Sequence, residues 1–224
     1  NNISFLVGYF DRDYGRSALF ATKNLFIDAS DLASGITLNW SGVEPARVLA
    51  VDGDLTLNNV AITGGNSVFD AAADIGQHPD DDQTSTLARG AGVAVWGVAR
   101  LSDCTIYDNH ALAYGGGVYA DTVVMENCIV SGNTVAGGGA AGGGVFVVGG
   151  RDTGLSVSSI SQSAVTENRI AGLFAYGGGV YSDGGGIGLS SSSLVGPSKL
   201  ASKAPRRPSI SFTWVAVTPR SSAT

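Results

Sequence analysis

The sequence predicts an all-β fold: a single-stranded, right-handed parallel β-helix of about five to six coils, with three short strands in each. Three observations carry the prediction. First, a Gly cluster followed by Val and then an aromatic or small residue recurs as Gly90-Ala91-Gly92-Val93-Ala94, Gly115-Gly116-Gly117-Val118-Tyr119, Gly142-Gly143-Gly144-Val145-Phe146 and Gly177-Gly178-Gly179-Val180-Tyr181, with Val positions 25, 27 and 35 residues apart. Second, the clearest unit, 115–135, holds three β-prone stretches, Val118-Tyr119-Ala120, Val123-Val124-Met125-Glu126 and Cys128-Ile129-Val130, punctuated by Asp121-Thr122 and Ser131-Gly132-Asn133. Third, charged residues are only 14% and Gly is 33 of 224, about twice its usual share. Such a chain has many strands and tight turns, and no long segment shows the apolar spacing of an amphipathic helix. Parallel neighbours cannot be joined by a hairpin, so short units of this kind are expected to wind, each strand stacking on its counterpart ~4.8 Å away.

Residues 1–22 are irregular, with a polar interruption at Asp11-Arg12-Asp13, and read as an N-terminal segment or cap over the first coil. Residues 23–189 carry the β-helix. Its early part runs through Leu25-Phe26-Ile27, Ile36-Thr37-Leu38, Val48-Leu49-Ala50-Val51, Leu55-Thr56-Leu57 and Ala61-Ile62-Thr63. Residues 67–88 lose the pattern and read as a loop ejected from one corner, and 89–188 hold the strongest repeats. From 190 to 224 the chain is basic and rich in Ser and Pro. Two readings of this tail stay open: a disordered linker, or a segment beyond a lost reading frame.

Each residue type suits its place. Val93, Val118, Val145 and Val180 are expected in one column of successive coils. Asn109, Asn133 and Asn168 close their units after Ile106-Tyr107-Asp108, Val130-Ser131-Gly132 and Val165-Thr166-Glu167. They are expected to form a structural ladder of side-chain amides, which satisfies buried polar groups coil after coil. Cys104 and Cys128 each stand five residues before a ladder Asn. They are expected to be stacked, reduced and in van der Waals contact, as small buried hydrophobes.

The Gly-Gly-Gly-Val-Tyr motif followed by Ile/Val-x-x-Asn resembles the repeat pair of polymorphic outer-membrane proteins, of the autotransporter passenger kind. The resemblance covers roughly 23–188 and is carried also by Leu57-Asn58-Asn59-Val60-Ala61-Ile62-Thr63-Gly64-Gly65-Asn66. That family favours Phe where this chain has Ile106, Val130 and Val165. The resemblance implies a pectate-lyase-like solenoid on a bacterial surface or secreted, glycine-rich and adhesin-like, with carbohydrate or a host or cell-surface protein as partner.

Charge and motifs narrow the function. Residues 1–198 carry a net charge of −11, which argues against nucleic acid as a partner. No apolar run approaches the ~20 residues of a transmembrane segment. Asp70, Asp74, Asp80, Asp81 and Asp82, with His78 among them, form an acidic loop. It is a candidate binding site: clustered carboxylates chelate Ca²⁺ or act as general acid and base on a sugar, although the bland reading is a solvated loop. Asp52-Gly53-Asp54 reads as a turn, and His110 as a rim residue. Tyr119, Phe146 and Tyr181 share one register beside Tyr114 and Tyr176, and read as a packed column before a sugar platform. No catalytic set converges, and no cofactor is implied. The expected function is a non-catalytic extracellular or cell-surface stalk or adhesion module; the alternative is a polysaccharide lyase or glycoside hydrolase.

Overall fold

The structure, a computed structural model, describes residues 1–11, 14–68, 89–137, 139–149, 157–171, 176–184, 186–195 and 200–202. The described residues form 23 strands in three sheets. The first holds seven, in the order β1 (Asn2–Phe5), β5 (Ile36–Trp40), β8 (Val60–Thr63), β11 (Thr105–Tyr107), β14 (Ile129–Ser131), β18 (Ala164–Thr166) and β22 (Ser193–Val195). The third holds four strands of two residues each: β19 (Arg169–Ile170), β15 (Thr134–Val135), β12 (His110–Ala111) and β9 (Asn66–Ser67).

The second sheet holds twelve. Its main path is β2 (Tyr9–Asp11), β3 (Gly15–Ala21), β6 (Arg47–Val51), β10 (Val93–Ser102), β13 (Val118–Glu126), β16 (Val145–Val147), β20 (Val180–Ser182) and β23 (Leu200–Ser202). A branch runs through β4 (Leu25–Asp28) and β7 (Leu55–Asn58), which joins β10, and a second through β21 (Ile187–Ser190) and β17 (Ser158–Ser161), which joins β13. Among these strands only β2 and β3 pair antiparallel.

This arrangement corrects the fold prediction. In place of one right-handed β-helix with three short strands in every coil, the strands are shared among three parallel sheets of seven, twelve and four. Two features of the chain produce the difference. β10 and β13 are long strands of ten and nine residues, and β13 runs straight through Asp121-Thr122, which read as a turn in the sequence. The third strand position is only two residues long and is met in four layers, so its sheet stays small. Strand pairing also continues past residue 190, through β22 and β23.

Val93, Val118, Val145 and Val180 stand in register on adjacent strands, all fully buried. They belong to the main core, with Leu57, Ile62, Leu101, Ile106, Met125 and Ile160. Alternation along a strand sends the next side chain to the opposite face. There Ala94, Tyr119, Phe146 and Tyr181 make a second apolar cluster outside the first.

Two corners join the sheets, and each is turned by a residue with left-handed backbone. At one corner these are Asn59, Asp103, Asn127, Gln162 and Ser191, with φ between 48° and 55°. At the other they are Gly64, Asp108, Gly132 and Glu167. Asn, Asp and Gly tolerate this region best, which accounts for most of the choices. The residue after each turn points into the stack, and those residues build the site described next.

Candidate functional site

At the second corner, the residue after the turn is Gly65, Asn109, Asn133 or Asn168 in successive layers. The Asn109 backbone N–H donates to Asn133 Oδ1 at 3.1 Å, and the Asn133 N–H to Asn168 Oδ1 at 2.9 Å. The Gly65 N–H opens the row by donating to Asn109 Oδ1 at 2.9 Å. Each Nδ2 also donates along the stack, Asn109 to Asn133 Oδ1 at 2.9 Å and Asn133 to Asn168 Oδ1 at 3.0 Å. The same amides reach strand carbonyls of the layer before: Asn109 to Ile62, Asn133 to Ile106 and Asn168 to Val130. All three Asn are buried. Buried amides bonded at both ends incur little of the cost of an unpaired polar group.

The Gly clusters belong to this row. A Cβ on Gly92, Gly117 or Gly144 would stand 2.8–3.0 Å from the Nδ2 of Asn109, Asn133 or Asn168 respectively. The two sequence signatures are therefore two sides of one contact: the Asn amide lies against backbone that only Gly leaves open.

The first corner carries a second row, which the sequence did not reveal as such. Here the inward residues are Cys104, Cys128, Ser163 and Ser192. The Cys104 N–H donates to Cys128 Sγ at 3.4 Å, the Cys128 N–H to Ser163 Oγ at 3.0 Å and the Ser163 N–H to Ser192 Oγ at 3.2 Å. Each side chain in turn reaches a carbonyl two residues back: Cys104 to Ser102, Cys128 to Glu126, Ser163 to Ser161 and Ser192 to Ser190. The two thiols are free, buried and stacked. They act as hydroxyl equivalents in a hydrogen-bonded row, where simple van der Waals packing was expected. The hydrogen bond with Cys104 first, and burial second, push the Cys128 thiol far up, so it stays protonated. The signal was present in the sequence: Leu101-Ser102-Asp103-Cys104, Met125-Glu126-Asn127-Cys128, Ile160-Ser161-Gln162-Ser163 and Leu189-Ser190-Ser191-Ser192 share one frame.

On the outer face of the twelve-stranded sheet, Tyr119, Phe146 and Tyr181 stack in register, with ring centroids 5.5 and 5.2 Å apart. The column is buried, beneath neighbours that include Tyr114 and Val148. The Arg89 guanidinium lies over Tyr114 and Tyr119, and donates to the Tyr119 hydroxyl at 2.9 Å. Arg47 lies over Trp96. Burial first, and Arg89 second, lower its pKa to about 9, so it remains charged at neutral pH.

Asp70, Asp74, Asp80, Asp81, Asp82 and His78 lie outside the described residues. Of the paired carboxylates elsewhere, Asp54 is a turn brace. It accepts the Val98 N–H at 3.0 Å, which with the Arg100 ion pair at 3.0 Å holds its pKa below the usual range. Asp11 accepts the Tyr14 N–H at 3.1 Å. His110 Nδ1 meets Thr134 Oγ1 on the next strand, and burial lowers the imidazole pKa. A groove of about 750 Å³ follows the first corner, lined by Asp103, Asn127, Gln162, Ser191, Thr105 and Ile129 among others. The chain matches no family model, no curated protein and no solved structure. Among the described residues no three His, Cys, Asp or Glu gather as a metal-binding group, and no helix is long and apolar enough to cross a membrane.

Proposed function

We propose that this chain is a non-catalytic scaffold, an extracellular or cell-surface module of the stalk or adhesion kind. One observation carries the reading. The polar side chains of the two corner rows, Asn109, Asn133, Asn168, Cys104, Cys128, Ser163 and Ser192, spend their hydrogen bonds on adjacent layers. Groups committed in this way brace a stack; a reacting group needs a free face toward substrate. The resemblance of the Gly-Gly-Gly-Val-Tyr and Ile/Val-x-x-Asn repeats to polymorphic outer-membrane passengers supports the surface location and a carbohydrate or host-protein partner.

The test incubates the full chain with neutral and acidic polysaccharides and follows both unsaturated products and reducing ends. The scaffold reading predicts no turnover, whether or not a polysaccharide is retained. Turnover that disappears in Asp80→Ala, Asp81→Ala or Asp82→Ala would overturn it in favour of a lyase or hydrolase.

A further inference from the structure

The first corner is polar on both sides, and the two sides differ in how far their bonds are used. Inside, Cys104, Cys128, Ser163 and Ser192 all bond to strand carbonyls and to the layer beside them. Outside, one turn residue in each layer stands exposed: Asp103, Asn127, Gln162 and Ser191. Flanking strands in register stack them, with Ser102, Glu126, Ser161 and Ser190 before the turn and Thr105, Ile129, Ala164 and Ser193 after it. Within the row Asn127 Nδ2 donates to Asp103 Oδ1. Among the described residues, the side chains of Thr105, Gln162, Ser191 and Ser193 make no hydrogen bond. In the layer before Asp103 the equivalent residue is Asn59, and its Nδ2 is used by the carbonyls of Ala29 and Leu32. The row of available groups therefore starts at Asp103.

The groove along this corner is lined by the turn row and by the outward column that follows it. It crosses four layers, about 14 Å from first to last at ~4.8 Å each. Its lining holds one carboxylate, Asp103, and no Lys or Arg among the described residues. With a net charge of −11 over residues 1–198, an acidic ligand is repelled, and a phosphate backbone has nothing to pair with. The corner backbone is already used. The N–H groups of Asp103, Asn127 and Gln162 donate to the carbonyls of Glu126, Ser161 and Ser190 at 3.0–3.1 Å, so no peptide strand adds along it. What is left is uncharged and repeats layer by layer: amides that donate and accept, hydroxyls, and the exposed Ile129 beside Ala164 as an apolar strip.

We propose that this groove binds a neutral oligosaccharide, laid along the stack with one sugar to each layer. Neighbouring sugar hydroxyls meet the Gln162 amide and the Asn127–Asp103 pair, which offer donors and acceptors side by side. The C–H face of a ring rests on Ile129. A chain of equatorially linked pyranoses advances by about one layer per residue, so each sugar repeats the contact of the one before. The groove's single carboxylate has no second one opposite it, so no acid–base pair forms and the sugar is held without being cleaved. The inference rests on the scaffold reading and gives its partner a place and a chemical class.

Calorimetry on the full chain tests this, with glucose, xylose and mannose oligomers from dimers to hexamers and galacturonate oligomers as the acidic comparison. At least one neutral series binds, tightening with length up to about four residues, the number of layers crossed, and no further. The galacturonates do not bind. Gln162→Ala weakens binding about tenfold, as the loss of one or two ligand hydrogen bonds does. Ala164→Tyr fills the floor and abolishes binding, while Thr56→Ala, on β7 outside the groove, leaves it unchanged. A β-type circular dichroism spectrum equal to wild type shows that each variant is folded. Absence of binding by every neutral series overturns the proposal and leaves the scaffold reading in place. So does tighter binding of the galacturonates, or binding that Gln162→Ala and Ala164→Tyr leave unchanged. Cleavage of a bound oligomer overturns the scaffold reading instead, while the two variants still locate the binding.

Discussion

Replacing Asn133 by Ala removes the middle rung of the amide row. Its side chain makes four bonds: Oδ1 accepts from the N–H and Nδ2 of Asn109, and Nδ2 donates to Ile106 C=O and Asn168 Oδ1. The Asn133 N–H keeps its bond to Asn168 Oδ1, because that bond uses the backbone. At about 1 kcal/mol net for each bond, the loss is about 4 kcal/mol. For a chain of this size that corresponds to a melting temperature lower by about 10 °C. Equilibrium unfolding in urea measures it, with Glu126→Ala as the comparison, an exposed strand residue expected to change stability by less than about 0.5 kcal/mol. Asn133→Asp keeps the shape but turns a carboxylate toward the Ile106 carbonyl and Asn168 Oδ1. Burial raises such a carboxyl's pKa, so this variant is most stable in acid and loses stability as pH rises through that raised value. Asn133→Ala no more destabilising than Glu126→Ala would refute the reasoning.

Three further outcomes follow from the same geometry. Cys128→Ser keeps a group able to accept the Cys104 N–H, as Ser163 and Ser192 do one and two layers on, and should change stability by less than about 1 kcal/mol; Cys128→Val leaves that N–H unpaired and should cost about 2 kcal/mol by urea unfolding. A Cβ on Gly143 would collide with Gly178 C=O, whereas Gly139 has open space; Gly143→Ala should therefore lower the melting temperature sharply and Gly139→Ala leave it unchanged. His110 has a folded pKa below its ordinary value because burial disfavours the cation, so its contribution to stability is present above about pH 6.5 and lost as pH falls through the lower folded value. An NMR titration midpoint for His110 at or above that of a denatured control would contradict this.

The parallel pairing of this chain was legible because its signals are periodic. Four valines after Gly clusters mark equivalent strand positions, and they stand in register. The sheet partition is not legible, because turn residues taken singly do not say whether a strand ends at them. Asp121-Thr122 sits inside β13 at an irregularity in its pairing with β10, and the registered pairing before and after it keeps the strand continuous. The Asn residues stand out in sequence because Asn recurs unchanged. The Cys-Cys-Ser-Ser row does not, because two residue types share one task and the common frame shows only when the corners are aligned. The turns before them hide in the same way: Asp103, Asn127, Gln162 and Ser191 have little in common except a left-handed backbone. The outer aromatic column has the same spacing whether packed or exposed, and only the fold shows it covered.

Residue-resolved hydrogen exchange on the backbone N–H groups of Asn109, Asn133, Cys104 and Cys128 tests the central claim most directly. Each of these donates to a side chain of the next layer, outside the ladders of the sheets. If the interior polar side chains brace the stack, these four exchange as slowly as the core strand amides of Val118 and Ile106. Exchange of the four at the rate of the exposed turn 31–34 would contradict it, and would return those side chains to the list of groups free for chemistry.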